Sequence, residues 1–255
     1  MSLERKDLLE YFNQLMTPSL FEDYAPNGLQ IEGKTTLKKV AFAVSATQNS
    51  LSDAVAWGAD ALIVHHGVFW KHQGARTVTG PWGERITLAV KNDLNLIAYH
   101  LPLDAHAEIG NAVTLARALG LTSLAPFAIV KKQPMGTKGE FSQPISVRDF
   151  KLKCETILKH PVILASHDEN ATIKSLGIIT GGANNDWVKA MDDGLDAYLT
   201  GEISEYNWHD AREAHVHYFA GGHHATERFG IQALMEKVKA DHQVEVRFFD
   251  SNNPA

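Results

Sequence analysis

The chain contains one cysteine, Cys154, in 255 residues. One thiol closes no intrachain disulfide and builds no thiolate zinc ribbon, which points away from a disulfide-stapled secreted fold. Long hydrophobic runs are missing too. None approaches the roughly 18 residues that a membrane span needs. The opening MSLERKDLLEYF is charged within its first turn, so neither a signal peptide nor an anchor is expected. No stretch strings together five Lys or Arg, and 24 basic residues face 30 acidic ones for a net charge of −6. A surface that tracks nucleic-acid phosphates is therefore not expected. There is no Gly-x-Ser-x-Gly elbow, P-loop or dinucleotide fingerprint, and no His lies closer to Cys154 in sequence than His160, so nucleophilic catalysis has no support. A cytoplasmic location is the default expectation.

What the chain does have is histidine, 13 of them, several in clusters. Histidine is the commonest metal ligand and the side chain that titrates nearest neutral pH. With 44% hydrophobic and 21% charged residues the composition is that of an ordinary globular protein, long enough for one domain or two.

Apolar spacing over Leu8–Met16 predicts an opening helix that stops before Pro18. Strands are expected at Val40–Val44, Ala61–Val64 and Leu94–Tyr99, with helices at Ser50–Trp57, Pro81–Asn92 and from Asn111 to Gly120. This β-α-β alternation favours a parallel α/β sheet. Residues 123–168, punctuated by Pro126, Pro134, Gly136, Gly139, Pro144 and Pro161, break the rhythm and predict a small mixed insert. The alternation then returns, with strands at Ser175–Thr180, Ala197–Thr200 and Val216–Ala220. The expected organisation is a first α/β half over 1–122, the insert over 123–168, and a second half over 169–255.

A weak repeat links the halves: Gly58-Ala59-Asp60-Ala61 aligns with Gly194-Leu195-Asp196-Ala197, and the strands that follow end together. Gly-x-Asp-Ala is also a common link between a helix and a strand. A true repeat would make the strand ends bearing His66 and Glu202 equivalent, and open α/β sheets place their sites at such C-terminal ends, here facing one central cleft.

His65-His66 follows Ile63-Val64 directly, where adjacent side chains diverge as the strand ends. Asp104 lies just past the next strand; taken alone it suits a cap or turn residue as well as a ligand. His223 and Glu227, four apart at the start of the last helix, stack on one helix face, a geometry for chelation or for capping. His224 would project about 100° away, towards a supporting or surface position. Together these groups form a mixed nitrogen and oxygen set without thiolate, suited to Zn, Mn, Fe or Co. Five ligands exceed one tetrahedral zinc, and two bridged ions account for the surplus. Gly181-Gly182-Ala183, between a strand and a helix, is a weaker candidate for anion binding.

The order Asn27-Gly28-Leu29-Gln30, His65-His66-Gly67, Asp104, Thr200-Gly201-Glu202 and Gly222-His223-His224-Ala225-Thr226-Glu227 resembles the Nif-three-like dinuclear-metal family, the GTP cyclohydrolase I type-two homologues, and most closely its YbgI-like bacterial branch. The resemblance covers nearly the whole chain. It implies two similar β-α-β halves around a cleft, and a toroidal homohexamer with metal sites facing an internal cavity. By position it implies two divalent ions (Zn, Fe or Mn) on His65, His66, Asp104, His223 and Glu227. Ser45 stands where many relatives have Asp, and His224 where many have Tyr.

The activity expected on this basis is metal-dependent hydrolysis of a nucleotide or related heterocycle, such as opening of the GTP imidazole ring. Glu202 and His100, each following a strand, are the candidates for moving the proton or for orienting ligands. The rival expectation is a non-catalytic metal-binding ring that serves as a scaffold or in metal delivery.

Overall fold

The computed structural model describes residues 3–130 and 132–255. It divides into two compact units, Met1–Leu103 with Ile231–Asn252, and Asp104–Gly230 with Asn253–Ala255.

The first unit runs through β1 (Leu3–Glu4), α1 (Arg5–Met16), β2 (Gly28–Ile31), β3 (Thr36–Leu37), β4 (Lys39–Ser45), α2 (Gln48–Trp57), β5 (Ala61–His66), α3 (Gly80–Lys91) and β6 (Asn95–Ala98), and then α4 (Leu101–Asp104), whose last residue counts with the second unit. Helix α1 buries Leu8, Phe12 and Met16, one face at four-residue spacing, and ends where Thr17 turns left-handed ahead of Pro18. Helix α2 opens on a capping box between Thr47 and Ser50 and closes on Gly58 at φ 78°.

The second unit contains α5 (Asn111–Ala118), β7 (Thr122–Val130), β8 (Gln133–Ser146), α6 (Val147–Leu158), β9 (Ile163–Ala165), β10 (Thr172–Ile178), α7 (Trp187–Asp192), β11 (Ala197–Thr200), α8 (Glu205–Glu213) and β12 (His217–Ala220). Helix α9 (His223–Asp241) begins in this unit and, from Ile231, counts with the first, as does β13 (Glu245–Phe248). Side chains alternate across the second sheet. Ala197, Leu199 and Phe219 join the core that α5 and α6 cover, while Tyr198 and Tyr218 join the core beneath α7 and α8.

The sheet orders are β13-β4-β5-β6-β2 in the first unit and β7-β8-β10-β11-β12-β9 in the second. The parallel run is β13-β4-β5-β6 in the first sheet and β10-β11-β12 in the second, each with an antiparallel strand beyond its last member. The registers agree: Ala61 lies opposite Asn95 as Ala197 lies opposite His217. The repeated aspartates do the same work. Asp60 Oδ2 accepts the amides of Lys38 and Lys39 at 2.7 and 3.0 Å, and Asp196 Oδ2 accepts those of Lys174 and Ser175, both at 2.8 Å. Asp60 pins the start of β4, and Asp196 pins β10 just before its parallel pairing with β11 begins at Leu176, so the repeat is structural, and His66 and Glu202 are equivalent within their own units.

The middle segment departs from expectation. Residues 123–168 form no separate insert, because β7, β8 and β9 belong to the same sheet as β10–β12. Gly136 and Gly139, read as turn signals, lie inside β8. Side chains there would collide with the Ile178 carbonyl, and with Thr122 and Leu124, so these glycines permit close strand approach. The half boundaries at 122 and 169 likewise give way, since 104–122 sits with the second unit and 231–252 with the first. Among the described residues no helix is long and apolar enough to cross a membrane.

Candidate metal centre

In the first unit β5 continues through His65 and His66, so both imidazoles are held by strand backbone. His65 is fully buried, and its Nδ1 lies 3.0 Å from the Tyr99 carbonyl. A carbonyl only accepts, so Nδ1 carries the proton and Nε2 is left as the donor atom for a metal. His66 Nδ1 lies 3.0 Å from Ser45 Oγ, at the end of the adjacent strand. Ser45 thus touches a candidate ligand directly.

His100 completes this group. Ligand atoms of His65, His66 and His100 all lie within 4.8 Å of one another. His100 Nδ1 is 2.7 Å from Asp23 Oδ1, while its backbone amide donates to Asn27 Oδ1 at 2.8 Å. Asp23 also accepts from Asn27 Nδ2 and the Leu101 amide, at 2.8 and 2.9 Å. Burial alone would raise the Asp23 carboxyl, but His100, Asn27 and the Leu101 amide together hold it at about 2. An ionised carboxylate behind Nδ1 is the usual support of a metal-binding imidazole.

Gln30 secures the loop after the His pair. Its Oε1 accepts the Val68 amide at 2.8 Å, and a side chain at Gly67 would overlap it. Asn27-Gly28-Leu29-Gln30 therefore contributes an amide that braces His100 and another that braces this loop.

In the second unit, His223 and Glu227 open α9. His223 Nε2 lies 3.2 Å from Glu227 Oε2, and His223 Nδ1 lies 2.6 Å from Glu202 Oε1. Burial would lower the His223 imidazole, but Glu227 and then Glu202 outweigh it and push it up to about 9. Glu202 thus holds His223 as Asp23 holds His100.

Beneath them, Thr226 Oγ1 accepts the Gly181 amide at 3.1 Å, and the Gly181 carbonyl accepts from Thr200 Oγ1 at 3.1 Å and from the Gly201 amide at 3.0 Å. A side chain at Gly181 would run into Glu227 Oε1. With its Gly181 amide engaged and two carboxylates packed beside it, this turn is unsuited to an anion, which removes it as a phosphate candidate. Asp104 accepts from Asn111 Nδ2 at 2.9 Å, and Asn111 Oδ1 accepts the Gly230 amide at 2.7 Å, linking Asp104 to α9. His224 is buried, its amide bonded to the Ala255 carbonyl at 3.0 Å, so it is not a surface residue.

Each unit therefore gathers candidate ligands near the C-terminal ends of its parallel strands, with a carboxylate, carbonyl or hydroxyl behind each imidazole. Residues 3–254 match the family Duf34/NIF3 (NGG1p interacting factor 3). The chain belongs to that family. A Haemophilus influenzae protein named GTP cyclohydrolase 1 type 2 homolog is 40% identical over 251 residues, 98% of each chain. A solved structure of protein ybgI, of unknown function, is 38% identical with a TM-score of 0.93, over 99% of this chain and 100% of that one. A Thermus thermophilus structure is 27% identical with a TM-score of 0.88 over the same shares.

Of the residues expected from the sequence of this Duf34/NIF3 chain, the first unit brings together His65, His66 and His100, and the second brings together His223, Glu227 and Glu202. Asp23 was not anticipated. It lies outside any strand or helix, and only the nearby Asn27-Gly28 turn hinted that the segment mattered.

Proposed function

We propose that this chain is a dinuclear-metal hydrolase acting on a nucleotide or a related heterocycle. The observation that carries the proposal is the imidazole group of His65, His66 and His100, in which each Nδ1 has its own partner. The donor set, nitrogen and oxygen without thiolate, suits Zn, Fe or Mn. The proposed ligands are His65, His66, Asp104, His223 and Glu227, two ions per chain. Ions of this kind lower the pKa of bound water to about 7, supplying hydroxide at neutral pH. Glu202 and His100 are the groups proposed to move the proton, in addition to holding ligand rings. Relatives named GTP cyclohydrolase 1 type 2 homolog support a purine nucleotide as the first substrate to try. A cytoplasmic assembly of six chains belongs to the same reading.

The test is formate release from GTP by protein loaded with manganese, iron or zinc, with loss of product in His66→Ala. Replacing His65 and Glu227 together with Ala should remove most bound metal while the helical circular dichroism persists. A fully metallated protein that turns over neither GTP nor a broad nucleotide and phosphoester panel would leave metal binding without catalysis as the function. Light scattering that reports a single 28.1 kDa chain at micromolar concentration would refute the assembly.

A further inference from the structure

Beside the imidazole group, within the first unit, lies a cavity of about 300 Å³ whose lining includes Gly67, Trp70, Arg76, Thr79, Trp82 and Arg85. We propose that it is a phosphate subsite, holding the phosphoryl end of a mononucleotide whose aromatic base stacks on Trp70 next to the metal-binding imidazoles. The proposal rests on the hydrolase reading only for what happens to the ligand; the binding argument is independent of it.

Charge comes first. Two guanidinium groups line the cavity and no carboxylate does. Arg85 is half-buried. One of its Nη atoms donates to the Ala46 carbonyl at 3.3 Å, while its buried Nε has no hydrogen-bond partner among the described residues. A buried cationic donor without an acceptor is costly, and planar guanidinium matches phosphate oxygens two at a time. Arg76 stands over the Trp82 ring at 4.9 Å from its centroid, which positions a second guanidinium without neutralising it. Helix α3 starts at the same cavity. Thr79, at its cap position, makes no side-chain cap, so the positive helix end adds to the anion preference.

The aromatic wall is held rigidly. Trp82 Nε1 donates to the Val68 carbonyl at 2.8 Å, and Trp70 Nε1 to the Gly67 carbonyl at 3.2 Å. The Trp70 ring lies 5.7 Å from that of His66 and 5.2 Å from that of His100. Trp70 thus borders the cavity and also lies against the imidazole group, where its ring offers a face for an aromatic base to stack on. At about 300 Å³ the cavity sits at the lower end for small-molecule sites, enough for the phosphoryl end of one nucleotide.

Calorimetric titration of the metal-loaded protein with the common nucleoside 5′-monophosphates, the matching nucleosides and inorganic phosphate tests this. At least one monophosphate should bind about tenfold or more tighter than its nucleoside, and inorganic phosphate should compete with it. Arg76→Gln and Arg85→Gln should each weaken the monophosphate about tenfold without altering the nucleoside. Arg76 is exposed, so its variant tests the subsite even if Arg85→Gln melts early. Equal affinity for monophosphate and nucleoside, no binding by any monophosphate, or an unchanged Arg76→Gln variant would overturn the subsite. Arginine-dependent binding without turnover would sink only the hydrolase; turnover with an unchanged KM in both variants would sink only the subsite.

Discussion

Asp23 Oδ1 and His100 Nδ1, 77 residues apart, meet at 2.7 Å. The pair joins a loop ahead of β2 to the loop after β6, and it fixes which nitrogen of His100 faces away from the protein's own hydrogen bonds. Replacing Asp23 with Asn removes the negative charge behind that ring while nearly keeping its shape. Asp23→Asn should lower the rate per bound metal while leaving metal content nearly intact, and an unchanged rate would show that His100 needs no such support. A fall in metal affinity of about 10- to 100-fold, measured by competition with a chelator, would make His100 a ligand as well.

Glu202 stands in the same relation to His223, which separates its two possible duties. If it only holds the ring, Glu202→Gln should lower metal affinity about 10- to 100-fold, and turnover should return when excess metal is supplied. If it also carries the proton, the rate per bound metal should stay low at saturation. In metal-free protein the same variant should lower the His223 titration midpoint from about 9, read by NMR. A midpoint that does not move would contradict the contact.

Asp60 and Asp196 predict a pH dependence of stability. Burial opposes ionisation of both. The Lys34 ammonium and the amides of Lys39 and Lys38 nonetheless hold Asp60 below its ordinary value, and the amides of Ser175 and Lys174 with the Ser175 hydroxyl do so for Asp196. A depressed folded-state pKa means stability that is fully present above the unfolded value of about 3.9 and is lost as pH falls through the folded one. Urea midpoints should therefore drop below about pH 4, and the drop should be shallower in Asp60→Asn and Asp196→Asn. At pH 7 each variant should lose about 1–3 kcal/mol, because a neutral amide oxygen replaces a charged acceptor.

Gly181 has a backbone φ of 70° and no room for a side chain against Glu227. Gly181→Ala should cost about 1–2 kcal/mol from the left-handed backbone alone. It should also lower metal content by displacing Glu227. Full metal retention at unchanged stability would count against this packing.

Much of this was legible because its causes are local. The i to i+4 spacing of His223 and Glu227, the His65-His66 pair at the end of an apolar run, and the Gly-x-Asp-Ala repeat are patterns written in neighbouring residues. What escaped depends on approach through space. Gly136 and Gly139 look like chain breakers until Ile178 and Thr122 are seen packed against them. Helix α6 is masked in the sequence by the prolines on either side, which read as irregular chain, although Val147, Phe150, Cys154 and Leu158 share its buried face. Asp23 acquires its role only from a histidine 77 positions later.

The paired aspartates also bear on how such a protein can be rewritten. Asp60 and Asp196 clamp their neighbouring strands where the parallel pairing begins, while the candidate chemistry occupies the opposite ends. The two strand ends already differ, His65-His66 in one unit against Gly201-Glu202 in the other, above the same clamp. The architecture thereby separates its foundation from its editable rim, and a designer who keeps the two aspartates has the ligand positions as the place to vary.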